Sequence, residues 1–240
     1  METGWRSEGE RTRRLPLWEG DRTMDLFLPT RIERDRPPVT VVCLAGGGYG
    51  FRSWHEGPAI ALWLAMHGFA AVDVPYTTAR DVPDNQPLGL RPLRDACRAI
   101  RVVRDHADQF GLSPRRIAVL GFSAGGHLAG STALLHAESD AGDDLADTWS
   151  GRPDAAALIY PVVSMVPPCH QGSVNNLYGS VGNRRQNVTE HHLRNAIRSA
   201  AGGDAIEVLR VHHGDVTGAE AAQQFVDVAV NAGGARDTRA

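Results

Sequence analysis

Ile117-Ala118-Val119-Leu120-Gly121-Phe122-Ser123-Ala124-Gly125-Gly126-His127-Leu128-Ala129 decides how this 240-residue chain folds. Its first four residues are apolar, two of them β-branched, and predict a short buried strand. A G-x-S-x-G follows, and the small apolar residues toward His136 predict a helix. A strand turning this sharply into a helix crowds the residues two before and two after the serine, where glycine fits because it has no Cβ. Ser123 then stands at a strained bend with its Oγ raised above the sheet, and Ala124 opens the helix. With a strand before it and a helix after it, the pattern suits a nucleophile better than an ordinary turn hydroxyl.

Upstream, Val39-Thr40-Val41-Val42-Cys43-Leu44 is a near-continuous apolar run, the mark of a central strand covered on both faces. It empties into Ala45-Gly46-Gly47-Gly48-Tyr49-Gly50. A helix is predicted over 58–67, stopped by Gly68, and a second buried strand over 70–74, stopped by Pro75. The helix over 93–110 is the clearest in the chain, with Leu93, Cys97, Ile100, Val103, Ala107 and Phe110 on one face. Arg101–Asp105 and Arg104–Asp108 read as i,i+4 pairs on its solvated side. Another strand is predicted over 155–160, a further one over 206–211, and helices over 191–201 and 219–232. Met24-Asp25-Leu26-Phe27-Leu28 alternates like an antiparallel edge strand. Strand and helix alternate without repeats, so the expected fold is α/β, a mostly parallel twisted sheet with helices on both faces. Residues 1–20 read as an N-terminal arm, 21–240 as a single domain, and 164–186 as a cap or loop segment.

Composition bounds the function. Apolar residues make up 42% and charged residues 22% of the chain, ordinary for a globular domain. A net charge of −3 gives no electrostatic case for nucleic acid or an anionic membrane. Three widely spaced cysteines form neither a disulfide framework nor a C-x-x-C metal pair; Cys43 and Cys97 fall at core positions. No stretch approaches a membrane span, and residues 1–14 are polar and arginine-rich without an apolar signal region, so the expected location is cytoplasmic.

An acyl-transfer serine needs a base, a group that orients the base, and donors for the oxyanion. The donors are the easiest to place. Gly46-Gly47-Gly48 follows a central strand, where backbone amides can face the serine unobstructed, so the amides of Gly47 or Gly48 and of Ala124 are the expected oxyanion hole. Neither phosphate-loop pattern, G-x-G-x-x-G or G-x-x-x-x-G-K-[ST], can be read there.

Ala45-Gly46-Gly47-Gly48-Tyr49, His55-Glu56-Gly57, the elbow with its Gly126-His127-Leu128-Ala129 extension, and Leu158-Ile159-Tyr160-Pro161 together resemble bacterial α/β-hydrolase esterases. The resemblance is to the acetyl-xylan-esterase-like group, near the hormone-sensitive-lipase-like branch, and covers residues 39–180. It implies an α/β-hydrolase fold, a carboxylic-ester hydrolase with a Ser-Asp-His triad in that chain order, and no cofactor or metal. The substrate class implied is a small-molecule ester, acetylated sugars included. His127, one helical turn after the serine, is expected to pack or cap rather than act as the base.

The C-terminal third departs from the family pattern and reads as incomplete or divergent. One alignment matches Val211-His212-His213-Gly214-Asp215 to the acid segment, making Asp215 the triad acid with no histidine after it. A rival alignment makes 206–211 the last strand and His213 the base, and leaves the acid without a strand. On either alignment the triad is one member short. Three readings therefore stand: a serine esterase of short acyl esters, an arylformamidase-type amidase sharing the elbow, and a non-catalytic binding protein that keeps the fold without its base.

Overall fold

The structure is a computed structural model and describes residues 11–33, 35–84, 86–139, 144–165, 167–179 and 208–211. Its strands are β1 (Thr12–Pro16), β2 (Thr23–Phe27), β3 (Thr40–Leu44), β4 (Ala70–Asp73), β5 (Ile117–Phe122), β6 (Ala155–Ile159) and β7 (Val208–Val211). They form one sheet of order β1-β2-β4-β3-β5-β6-β7. The pairs from β4 to β7 are parallel, and β1 and β2 add an antiparallel edge. The α-helices among the described residues are α1 (Pro58–Met66), α2 (Arg91–Asp105), α3 (Ala124–Leu135) and α4 (Gln171–Tyr178). None is long and apolar enough to cross a membrane.

Period-two alternation along the strands divides the core in two. Val41, Cys43, Ala118, Leu120 and Phe122 face Ile60, Ala61 and Leu64 of α1. Val42, Leu44, Ile117 and Val119 face the other way, against Leu93, Cys97 and Ile100 of α2 and Leu128 and Ala129 of α3. The expected twisted parallel sheet with helices on both faces is therefore what the chain forms. β3 to β6 read as continuous apolar runs because neither of their faces meets water.

Three expectations need correction. Thr12–Pro16, within the arm expected over 1–20, is a strand that pairs with Thr23–Phe27 in register Leu15↔Met24. Only Leu15 of that strand is buried, so its sequence carries too little alternation to announce a strand. The arginines of α2 are not a solvated face. Arg98, Arg101 and Arg104 are 6–7% exposed, because residues 144–154 lie across them. Arg98 meets Asp144 and Asp147, Arg101 bonds the Trp149 carbonyl, and Arg104 bonds the carbonyls of Ser150 and Arg152. The helix also ends earlier than expected, at Asp105, and a separate 3-10 turn carries the chain to Gly111 at φ 67°.

The order of the strands locates the site. From β3 the chain moves outward to β4, then returns across to β5 on the other side of β3. Ligands in open α/β sheets bind at such a reversal, beyond the carboxyl ends of the two strands. Here those ends carry the triple glycine and the serine bend.

Candidate active site

β3 and β5 pair in register Leu44↔Gly121. Continued two residues further, that register sets Gly46 beside Ser123. The backbone confirms the approach, since a Cβ on Gly46 would stand 3.1 Å from the Ser123 Cβ. The triple-glycine segment thus turns toward the serine.

Ser123 has φ 51° and ψ −114°, a conformation that L-residues adopt at a cost of about 1–3 kcal/mol and that surrounding structure must impose. Three backbone bonds do so. The Ser123 amide donates to the Ile159 carbonyl at 3.0 Å, and its carbonyl accepts from Val162 at 3.0 Å and His127 at 3.1 Å. The flanking glycines remove what would otherwise block the bend. A Cβ on Gly121 would fall 2.0 Å from the Gly125 carbonyl oxygen. Ser123 is half-buried and precedes α3 without its side chain capping the helix, so the hydroxyl is not spent on the local backbone. Ala124 is the first residue of α3, and its amide belongs to the positive end of the helix.

The loop after β3 is held from several sides. The Gly46 amide donates to Glu56 Oε2 at 3.0 Å, and the Gly47 carbonyl accepts from the Gly50 amide at 2.9 Å. Asn176 of α4 donates through Nδ2 to the Gly48 carbonyl at 2.9 Å. These bonds consume the Gly46 amide but not those of Gly47, Gly48 or Ala124, which have no acceptor among the described residues. Positive φ at Gly47 (129°) and Gly48 (61°) twists the loop as few side-chain-bearing residues would allow.

His127 is buried on α3, and its Nδ1 lies 2.8 Å from Tyr49 Oη, joining the helix to the loop after the glycines. His170 was not singled out by sequence. It caps α4 through Nδ1, which accepts from the Ser173 amide at 3.2 Å, and a Cβ on Gly48 would meet its Cε1 at 3.3 Å. The only sequence signal for this placement was the loop-rich composition of 164–186, within which α4 falls and lies over the glycine loop. A cavity of about 150 Å³ opens between α2, α3 and α4, lined by Tyr49, Leu93, His127, Leu128 and Leu177. It shares Tyr49 and His127 with the site but Ser123 does not line it. Asp215 and His213, the candidates for acid and base, lie outside the described residues, as do the helices expected over 191–201 and 219–232.

A bend, a facing glycine loop and a reversal in strand order define the α/β-hydrolase esterase class. Within it, the BD-FAE family model matches residues 24–198, and the chain belongs to that family. Endo-1,4-beta-xylanase B of Butyrivibrio fibrisolvens is 36% identical over 141 residues, 58% of this chain and 22% of that protein. The acetylxylan esterase of Xylanibacter ruminicola is 30% identical over 186 residues, 75% of this chain and 34% of that protein. The chain therefore spans about a third or less of the length of these two curated relatives. Among solved structures, an acetyl ester-xyloside bifunctional hydrolase from Caldicellulosiruptor lactoaceticus superposes with TM-score 0.72 at 26% identity, covering 93% of this chain and 97% of that one.

Proposed function

We propose that this chain is a serine carboxylic-ester hydrolase that cleaves short acyl esters, acetyl esters on sugars among them, through an acyl-enzyme on Ser123. The observation that carries the reading is the strained Ser123 backbone set against the Gly46–Gly48 turn. The relatives named for acetylxylan esterase and acetyl ester-xyloside hydrolase activity favour acetylated carbohydrate as the substrate class.

The chemistry follows from that placement. Ser123 Oγ attacks the ester carbonyl carbon while a base takes its proton. The carbonyl oxygen, now negative, is received by the amides of Gly47 or Gly48 and of Ala124. Each such donor supplies about 3 kcal/mol of transition-state stabilisation, because it is in place before the charge develops. The C–O bond breaks, the alcohol leaves with the proton, and water then hydrolyses the acyl-serine by the same route in reverse. The base and acid come from one of two alternative alignments: Asp215 as the acid, or His213 as the base, each without its partner.

The test is to compare 4-nitrophenyl acetate, an acetylated xylo-oligosaccharide and an N-formyl aromatic amide as substrates for wild type and Ser123→Ala. Ester hydrolysis lost in Ser123→Ala is expected. Turnover of the formyl amide alone would replace the esterase reading with the amidase one, and no turnover by folded protein would favour a non-catalytic role.

A further inference from the structure

The His55-Glu56-Gly57 segment has no place in the chemistry above, yet Glu56 touches both halves of the site. Its Oε2 accepts from the Gly46 amide at 3.0 Å, and its Oε1 accepts from the Tyr160 hydroxyl at 2.6 Å. The two partners belong to different strands. Gly46 opens the glycine loop after β3. Tyr160 follows β6 directly, in a left-handed conformation at φ 34°.

Tyr160 is also where the serine bend is tied down. Ile159, just before it, and Val162, two residues after it, make backbone bonds to the amide and carbonyl of Ser123. Its ring lies 5.9 Å from that of Phe122, the residue before the serine. Pro161, next in sequence, closes on Gly126, where a Cβ would meet the Pro161 Cβ at 2.9 Å. The Tyr160 phenol is thus rigidly joined to Ser123, and a carboxylate joins that phenol to the glycine loop.

From this geometry we infer that Glu56 is a positioning residue, a two-pronged clamp that fixes the distance between the oxyanion donors of the Gly46–Gly48 loop and Ser123. The inference deepens the esterase reading and rests on it. A loop of three glycines, two of them at positive φ, has little intrinsic rigidity. Preorganised donors stabilise a transition state only when they need not move as charge develops. One bond from Glu56 fixes the loop, and the other refers it to the bend. A carboxylate suits this task because it accepts from two donors at once. With both oxygens engaged by donors, its charge is satisfied within the clamp rather than left facing the developing oxyanion. Burial, and after it the bond to Glu56, pushes the Tyr160 hydroxyl well above the usual phenol range, so it stays a donor at every working pH.

Glu56→Ala, Glu56→Gln and Tyr160→Phe test the clamp against wild type. The readouts are kcat and KM for 4-nitrophenyl acetate, together with amide hydrogen exchange of the peptide covering residues 45–51. Glu56→Ala is expected to lower kcat by about 100-fold, the scale of losing an oxyanion donor, with KM changed less than about threefold. Glu56→Gln can still accept from Gly46 and donate to the phenol oxygen, so it is expected within about tenfold of wild type. Tyr160→Phe, which removes one prong and little volume, is expected between the two and carries the test if Glu56→Ala does not fold. Wild-type kcat in folded Glu56→Ala, or equal losses in Glu56→Gln and Glu56→Ala, would overturn the clamp. The exchange measurement is made in a Ser123→Ala background, where activity plays no part. Faster exchange of 45–51 on adding Glu56→Ala supports the clamp even if wild type proves inactive, and unchanged exchange rejects it even if wild type is an esterase.

Discussion

Gly125 lies hard against Leu44: a Cβ on the glycine would stand 2.0 Å from the Leu44 carbonyl oxygen and 2.6 Å from that of Ala45. The start of α3 therefore docks on the end of β3 backbone to backbone, and this close approach brings the serine bend within reach of the glycine loop. Both oxygens are main-chain atoms near the middle of the sheet and cannot swing aside. Gly125→Ala is accordingly expected to destabilise the fold by about 3 kcal/mol, read as a fall in the chemical-denaturation midpoint. A variant within 0.5 kcal/mol of wild type, as is usual for surface changes, would show that the docking is not this tight.

Asp73 ends β4 opposite Asp25 of β2. Burial, and after it the Asp25 charge, raises its pKa to about 6, while Arg52 pulls the other way and buried Cys43 also feels the carboxylate. The folded state therefore holds this proton more tightly than the unfolded chain does. Its contribution to stability is present below the unfolded pKa near 4 and is lost as pH rises through about 6. A shift of about two units corresponds to at most about 3 kcal/mol. Asp73→Asn is expected to cancel this dependence, so denaturation at pH 4.5 and 7.5 should show the variant gaining on wild type at the higher pH. A constant difference between the two proteins would contradict the assignment.

Arg98 holds α2 to the segment after residue 143. Its guanidinium meets Asp144 and Asp147, donates from Nε to the Leu17 carbonyl at 3.0 Å, and lies 5.3 Å from the centre of the Trp18 ring. The Asp147 side chain is only 4% exposed, so truncating the arginine removes the closer of its two cations and leaves a buried carboxylate with Arg101 at 3.8 Å. Arg98→Ala is expected to cost about 3 kcal/mol. Replacing Arg98 and Asp147 together should cost less than the sum of the single changes, a coupling that urea denaturation of the four proteins would measure.

What could be read from the sequence followed from local chemistry. The apolar runs at Val39 and Ile117, the glycines two either side of Ser123 and the triple glycine are constraints a short stretch carries within itself. The rest depended on partners far along the chain. Arg101 and Arg104 look like a solvated helix face until residues 149–154 arrive from more than forty positions away to cover them. Thr12–Pro16 joins the sheet through backbone bonds, which any sequence can make, and offers a single buried side chain. Glu56 finds Tyr160 across 104 residues, a link no spacing rule announces. His170 has the same history, reaching the glycine loop only because α4 folds back over it.

The most direct test of the account is whether Ser123 is a nucleophile. Wild-type protein incubated with a fluorophosphonate and measured by intact mass and peptide mapping should gain one phosphonyl group, carried on the peptide containing Ser123. Ser123→Ala should gain none. Folded wild type that stays unmodified, or a phosphonyl group found on any other residue, would contradict it.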